Sequence, residues 1–164
     1  MRAMPSNQLN PRIKKVWRIS DSIWIAILFL CCFTPFALIA AFDPLEAEWA
    51  GAVALIVAIV CLALFVFIVV VLPPIRYARW RYELTDDYLD IARGIFWRKR
   101  FIIPFIRVQN TDTRQGPILR AFGLASVTVA TAAGEHEIPG LGIEEADVLR
   151  DRAAELARLA REDV

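Results

Sequence analysis

Two apolar runs close together, ahead of a polar segment, constrain this chain more than anything else in it. Residues 23–42 are twenty positions without a charge, and residues 49–72 are twenty-four. At about 1.5 Å of rise per residue, either run as a helix crosses a hydrocarbon layer of roughly 30 Å. A cleaved signal peptide carries an apolar stretch of only about 7–15 residues, so the first run is too long for one. Six residues separate the runs, which predicts a retained helical hairpin.

Charge orients the hairpin. Arg2, Arg12, Lys14, Lys15 and Arg18 precede the first run, against one acid, Asp21. The connector 43–48 holds three acids and no base, and Arg76, Arg79 and Arg81 follow the second run. Basic flanks stay on the cytoplasmic side. The expected organisation is a cytoplasmic segment 1–22, spans 23–42 and 49–72 joined by an external loop 43–48, and a cytoplasmic domain 76–164. Trp17, Trp24, Trp49 and Trp80 fall near the expected interfaces, where amphipathic rings belong.

Neither run contains an ionisable residue. Proton relays and ion paths usually need one, so a small transporter component is a distant alternative to a plain anchor. Pro35 sits midway along the first span, where a bend is tolerable if a neighbour satisfies the freed carbonyl. Ala50, Ala54 and Ala58 recur at four-residue spacing and are candidates for a close helix-packing face. Cys31, Cys32 and Cys61 all lie inside the runs, so neither a disulfide framework nor a zinc spacing is expected. Pro73 and Pro74 are expected to end the second helix, since proline cannot continue one.

From Arg81 the pattern turns to short extended runs. Strands are expected over 81–85, 88–93, 100–103, 105–113, 126–132 and around 136–138, with a helical turn at 118–122. Gly94 opens a tip over 95–99. The last segment, 143–161, reads as a helix with Ala146, Leu149, Ala153, Leu156 and Ala160 forming one apolar stripe. Glu144, Glu145 and Asp147 in its first turn, and Arg158 and Arg161 near its end, suit the helix dipole. Many short strands followed by one closing helix predict a mainly-β barrel or sandwich with a C-terminal capping helix.

Several pieces of this chain resemble a known family. They are Gly94-Ile95, Ile103-Pro104-Phe105-Ile106-Arg107-Val108-Gln109, the run from Gln115-Gly116-Pro117 through Arg120-Ala121-Phe122-Gly123-Leu124-Ala125, and Ile138-Pro139-Gly140-Leu141 with Glu145-Ala146. Together with two preceding spans they resemble the bacterial pleckstrin-homology-like (YdbS-like) membrane proteins, over nearly the whole chain. The resemblance implies a seven-stranded PH-like barrel with a C-terminal helix, in a multi-pass protein of the bacterial inner membrane. It implies no reaction.

Phe96, Trp97, Arg98, Lys99 and Arg100 form the most suggestive surface. Large aromatics beside three cations suit the boundary of an anionic leaflet, each base adding about 1 kcal/mol there. The plainer alternative is a solvated hairpin whose aromatics pack on the barrel. Arg107 and Gln109, two apart, would share one strand face and either bind an anionic group or brace the adjacent loop, the bracing role being preferred. Pro104, Gly116, Arg120, Phe122 and Gly123 read as structural motif residues. Residues 76–120 carry ten bases and five acids, and residues 121–164 four bases and nine acids. Such a split suits a lipid-facing half, a contact between subunits, or ordinary solvated charge.

The single histidine, His136, lacks convergent ligands, so no metal site is expected. No phosphate-loop, dinucleotide, nucleophile-elbow or zinc-protease motif occurs, so neither a catalytic group nor a cofactor is expected. Two readings remain: a membrane-anchored, non-catalytic binding module that meets anionic lipid headgroups, or a structural subunit beside another PH-like membrane protein or a second copy of itself. No nucleic-acid partner is expected.

Overall fold

A computed structural model describes residues 4–43 and 45–162. Arg2 of the first basic flank, Pro44 of the connector and the last two residues lie outside them. Trp17–Pro74 form one compact unit, and the described parts of Met1–Val16 and Ile75–Val164 form another.

Helix α1 runs over Ile13–Phe42, from Trp17 onward within the first unit, so it starts ten residues before the expected span. Asn10 initiates it: its side-chain oxygen accepts the Arg12 amide at 3.0 Å and its carbonyl accepts the Ile13 amide at 3.0 Å. Pro35 lies inside the helix without ending it. Helix α2 covers Ala47–Phe65, and a π-helical stretch Val66–Val71 leads into α3, Leu72–Arg79. The expectation that Pro73 and Pro74 end this helix is therefore wrong. The Leu72 amide bonds to Phe67, five residues back, so the π-stretch resets the register ahead of the prolines. They then occupy the first turn of α3, where a missing N–H costs little. Only 6% and 11% of the most apolar windows of these two helical spans are buried, unlike the core helices of a soluble domain.

The second unit holds β1 (Arg81–Leu84), β2 (Tyr88–Arg93) and β3 (Lys99–Pro104) as one antiparallel sheet in that order. A 3₁₀ turn, Phe105–Arg107, leads to the second sheet of β4 (Val108–Arg114), β5 (Leu124–Thr131) and β6 (Gly134–Gly142). Helix α4 (Pro117–Ala121) joins β4 to β5, and α5 (Ile143–Glu162) closes the chain. This is the PH-like sandwich that the sequence predicts. Six strands are described rather than the seven implied by the resemblance, and an isolated bridge between Asn7 and Tyr82 lies beyond β1.

The core joins Leu89, Ile91, Phe105, Val108, Leu124, Val127, Val129, Ile138 and Leu141, all at most 1% exposed. Each buried aliphatic of this size contributes about 1.5–3 kcal/mol. Helix α5 buries Ala146, Ala153, Leu156 and Ala157, while Leu149 and Ala160 of the expected stripe are only half-buried. The small alanines allow close approach to the sheet, and the Arg161 guanidinium donates to the Val108 carbonyl at the start of β4.

Sequence reading missed the role of the N-terminal segment. Leu9 and Ile13 are 2% and 1% exposed, and Asn7 exchanges two 3.0 Å backbone bonds with Tyr82 of β1. Asn10 donates its amide to the Gly140 carbonyl. Gly140 has φ +66°, and a Cβ built on it would lie 2.5 Å from two Ile13 side-chain carbons. The chain ahead of the first span is thus a structural strap of the domain that follows the second span.

Candidate functional site

The tip between β2 and β3 is built around Gly94. Its φ of +120° is open to glycine and rarely to L side chains, and a Cβ there would lie 1.9 Å from the Trp97 carbonyl oxygen. The turn leaves Phe96 and Trp97 83% and 77% exposed, so neither aromatic packs on the sandwich. Arg98, Lys99 and Arg100 follow, also exposed. Arg79, at the end of α3, donates to the Ile95 carbonyl at 3.3 Å and ties the tip backbone to that helix.

The tip cations differ in their pairing. Arg100 reaches back to Asp90, with Nε at 3.0 Å from both carboxylate oxygens and a second nitrogen at 2.5 Å. Asp90 is 1% exposed, and the pair holds the Arg100 guanidinium proton more firmly than usual. Among the described residues no carboxylate pairs with Arg79, Arg81, Arg98 or Lys99.

Strand register explains how these groups meet. Arg81 stands opposite Ala92, and Ala92 opposite Arg100, so all three share one sheet face. The small Ala92 side chain leaves a gap between the two arginines, whose strands lie about 10 Å apart across the intervening one. A cavity of about 430 Å³ opens there, lined among the described residues by six bases (Arg79, Arg81, Arg93, Arg98, Lys99 and Arg100) and no acid, with Met4 and Pro5 of the N-terminal strap among its walls. Arg93 and Lys99 oppose each other one step along the ladder, and Arg93 turns its guanidinium toward the Phe101 ring, 5.2 Å from the centroid. Sequence reading singled out the tip but not Arg79, Arg81 or Arg93. The available signal was the alternation of Arg81 and Glu83 in β1, whose meaning depends on pairing.

The motif residues occupy turns and caps. Gly116 precedes α4, Pro117 fills its first turn, Phe122 caps it, and Gly123 at φ +65° ends it by donating to the Arg120 carbonyl. Pro104 leads from β3 into the 3₁₀ turn. Arg107 and Gln109 do not share a strand face as expected: Arg107 ends that turn, and the β4 register shifts between Val108 and Asn110. Both are exposed and border an open depression of about 600 Å³ with Ile102, Ile106, His136 and Arg161. In the hairpin, Ala50 and Ala54 are buried. Ala58 borders a groove with Ile25, Ala26 and Phe29 of α1.

His136 lies inside β6 as the expected strand around 136–138 implies, opposite Val129, with its ring 4.9 Å from that of Phe101. Burial first, and the Arg93 charge second, lower its pKa. The folded chain therefore binds this proton less readily than the unfolded chain. The associated stability is complete above the ordinary value of 6.5 and is lost as pH falls through the lowered folded value. As pH falls below the ordinary value of 6.5, denaturant midpoints are expected to drop more for the wild-type chain than for His136→Gln. Parallel profiles for the two chains would refute this.

Comparison with known proteins agrees with the fold. The family model described as Bacterial PH domain matches residues 22–157. UPF0699 transmembrane protein YdbS of Bacillus subtilis (strain 168) is 39% identical over 164 residues, which is all of both chains. UPF0699 transmembrane protein YdbT of the same organism is 28% identical over 81 residues, 47% of this chain and 16% of that protein. No solved structure gives a significant match. A full-length likeness to a transmembrane protein, with two long apolar helices left largely uncovered, makes this a membrane protein. The family match over most of the chain, on a six-stranded sandwich closed by α5, makes this chain a member of the bacterial PH domain family.

Proposed function

We propose that this protein is a non-catalytic docking module anchored in the bacterial inner membrane, with its PH-like domain in the cytoplasm and its Phe96–Arg100 tip against the anionic headgroup layer. The observation that carries this reading is the exposure of Phe96 and Trp97 beside Arg98 and Lys99. Exposed large aromatics next to cations match the amphipathic chemistry of a membrane boundary. The strap supports the orientation. Asn7 pairs with Tyr82, so the chain before the first span and the chain after the second lie on one side, as two crossings require. The basic flanks favour the cytoplasm for that side.

The test places a nitroxide at position 97 in a background with Cys31, Cys32 and Cys61 replaced by alanine, in lipid nanodiscs. In discs containing anionic lipid, the label is expected to be shielded from a water-soluble relaxation agent and exposed to oxygen. Neutral discs or raised salt should weaken the shielding. A label that stays fully water-accessible in anionic discs would sink the reading.

The likeness to YdbT favours a second reading, in which the module also assembles with a larger PH-like membrane protein. Mild-detergent purification at native expression level, followed by mass spectrometry, tests it. A stoichiometric companion supports assembly, and a lone monomer rejects it.

A further inference from the structure

We propose that the cavity over Ala92 binds a phosphate-bearing anion, and that its ligand is the phosphate of an anionic lipid headgroup. This deepens the membrane reading of the adjacent tip and rests on it for the source of the ligand, though not for the site. Four observations carry it. First, among the described residues the lining holds six bases and no acid, and of these Arg93 turns to the Phe101 ring and Arg100 pairs with Asp90. Like charges gathered around one hollow repel one another, and a folded chain tolerates this when an anion supplies the missing charge. Second, two of these cations are held in place without being neutralised. Arg79 and Arg81 each donate to a backbone carbonyl, of Ile95 and Trp80, which fixes the guanidinium and leaves its net charge. Among the described residues only Arg100 of this lining has a carboxylate partner, Asp90, which positions it at the cavity wall.

Third, the volume of about 430 Å³ falls within the range of roughly 300–1,000 Å³ usual for small-ligand sites. The gap exists because Ala92 separates Arg81 from Arg100 on one sheet face. Planar guanidinium groups on both sides suit the oxygens of a phosphoryl group, which they bind in bidentate fashion. Fourth, Ala78 and Arg79 in the lining stand four and five residues beyond Pro74 in the sequence. Anionic lipid headgroups are the phosphate source nearest such a segment, although free phosphate offers the same oxygens.

The test uses the full chain in an uncharged detergent. Short-chain phosphatidylglycerol, short-chain phosphatidylcholine and inorganic phosphate are titrated separately, and binding is read by native mass spectrometry and by the rise in melting temperature. Saturable one-to-one binding of phosphatidylglycerol, with phosphatidylcholine much weaker, is expected. Arg81→Gln should weaken it about tenfold by removing one charge-assisted contact. Ala92→Leu, which fills the gap without changing charge, should abolish it. Arg158→Gln removes an equal charge from α5, where Arg158 pairs with Glu162, and should leave binding unchanged.

If inorganic phosphate competes at similar strength, the anion site stands and the lipid assignment falls. Non-saturable binding, or equal binding by wild type, Arg81→Gln and Ala92→Leu, overturns the site itself. A water-accessible label at position 97 with binding intact would reject the docking reading of the tip and keep the pocket.

Discussion

A fragment that begins at Ile75 and lacks the N-terminal segment is expected not to fold, although it contains every strand of both sheets. The strap supplies Leu9 and Ile13, two of the largest fully buried side chains or nearly so. Truncating either to alanine in the full chain should cost about 2–5 kcal/mol, against a total stability of roughly 5–15 kcal/mol for a domain. Removing the whole segment loses both side chains and the Asn7 and Asn10 backbone bonds to Tyr82 and Gly140. Amide hydrogen exchange on the fragment should show little protection in β1 and β6, and a peptide of residues 4–16 added in trans should restore it. A well-protected fragment without the peptide would show that the strap is dispensable. Gly140→Ala in the full chain tests the same contact from the other side, because the new methyl collides with Ile13 while φ is already +66°.

Gly94→Ala is expected to rearrange the tip and to cost more than Gly134→Ala. Both glycines have a positive φ, +120° and +132°, so both substitutions strain the backbone by on the order of 1–3 kcal/mol. At Gly134 the added methyl meets nothing within 4 Å, whereas at Gly94 it meets the Trp97 carbonyl oxygen at 1.9 Å. A carbonyl in a tight turn cannot rotate away like a flexible side-chain end, so residues 95–98 must move. Arg98 then leaves the cavity lining and Trp97 changes direction. Gly94→Ala is therefore expected to impair anion binding and the shielding of position 97 together, while Gly134→Ala spares both. Equal melting temperatures and equal anion binding for the two variants would contradict this account.

Much of the fold was legible because its signals are local. The six strands follow alternation and turn residues, and β2 has the bounds that the pattern of Leu89 and Ile91 against Asp90 predicts. The α5 helix follows from its stripe and end charges, although the buried set includes Ala157 and leaves Leu149 and Ala160 half-exposed. Propensity misled at Pro73 and Pro74, where a π-stretch two residues upstream changes what a proline costs. It misled again at Arg107, where a 3₁₀ turn interrupts the extended run. The tip was legible as composition, a cluster of aromatics and cations. Its partners were not, because Arg79, Arg81 and Arg93 are dispersed along the sequence and meet through strand pairing.

By itself the sequence determined that two helices lie in apolar surroundings, that the segments before the first and after the second are basic, and that a small β-rich domain with a closing helix follows. Each of these rests on the identity of neighbouring residues, through hydrophobic length, charge and period. Only the tertiary structure decided that residues 4–16 belong to that domain, that Asp90 holds Arg100, and that Ala92 leaves a hollow between Arg81 and Arg100. Those facts depend on which strands pair and in what register. A shift of one residue would turn Arg81, Ala92 and Arg100 to other faces and disperse the cavity.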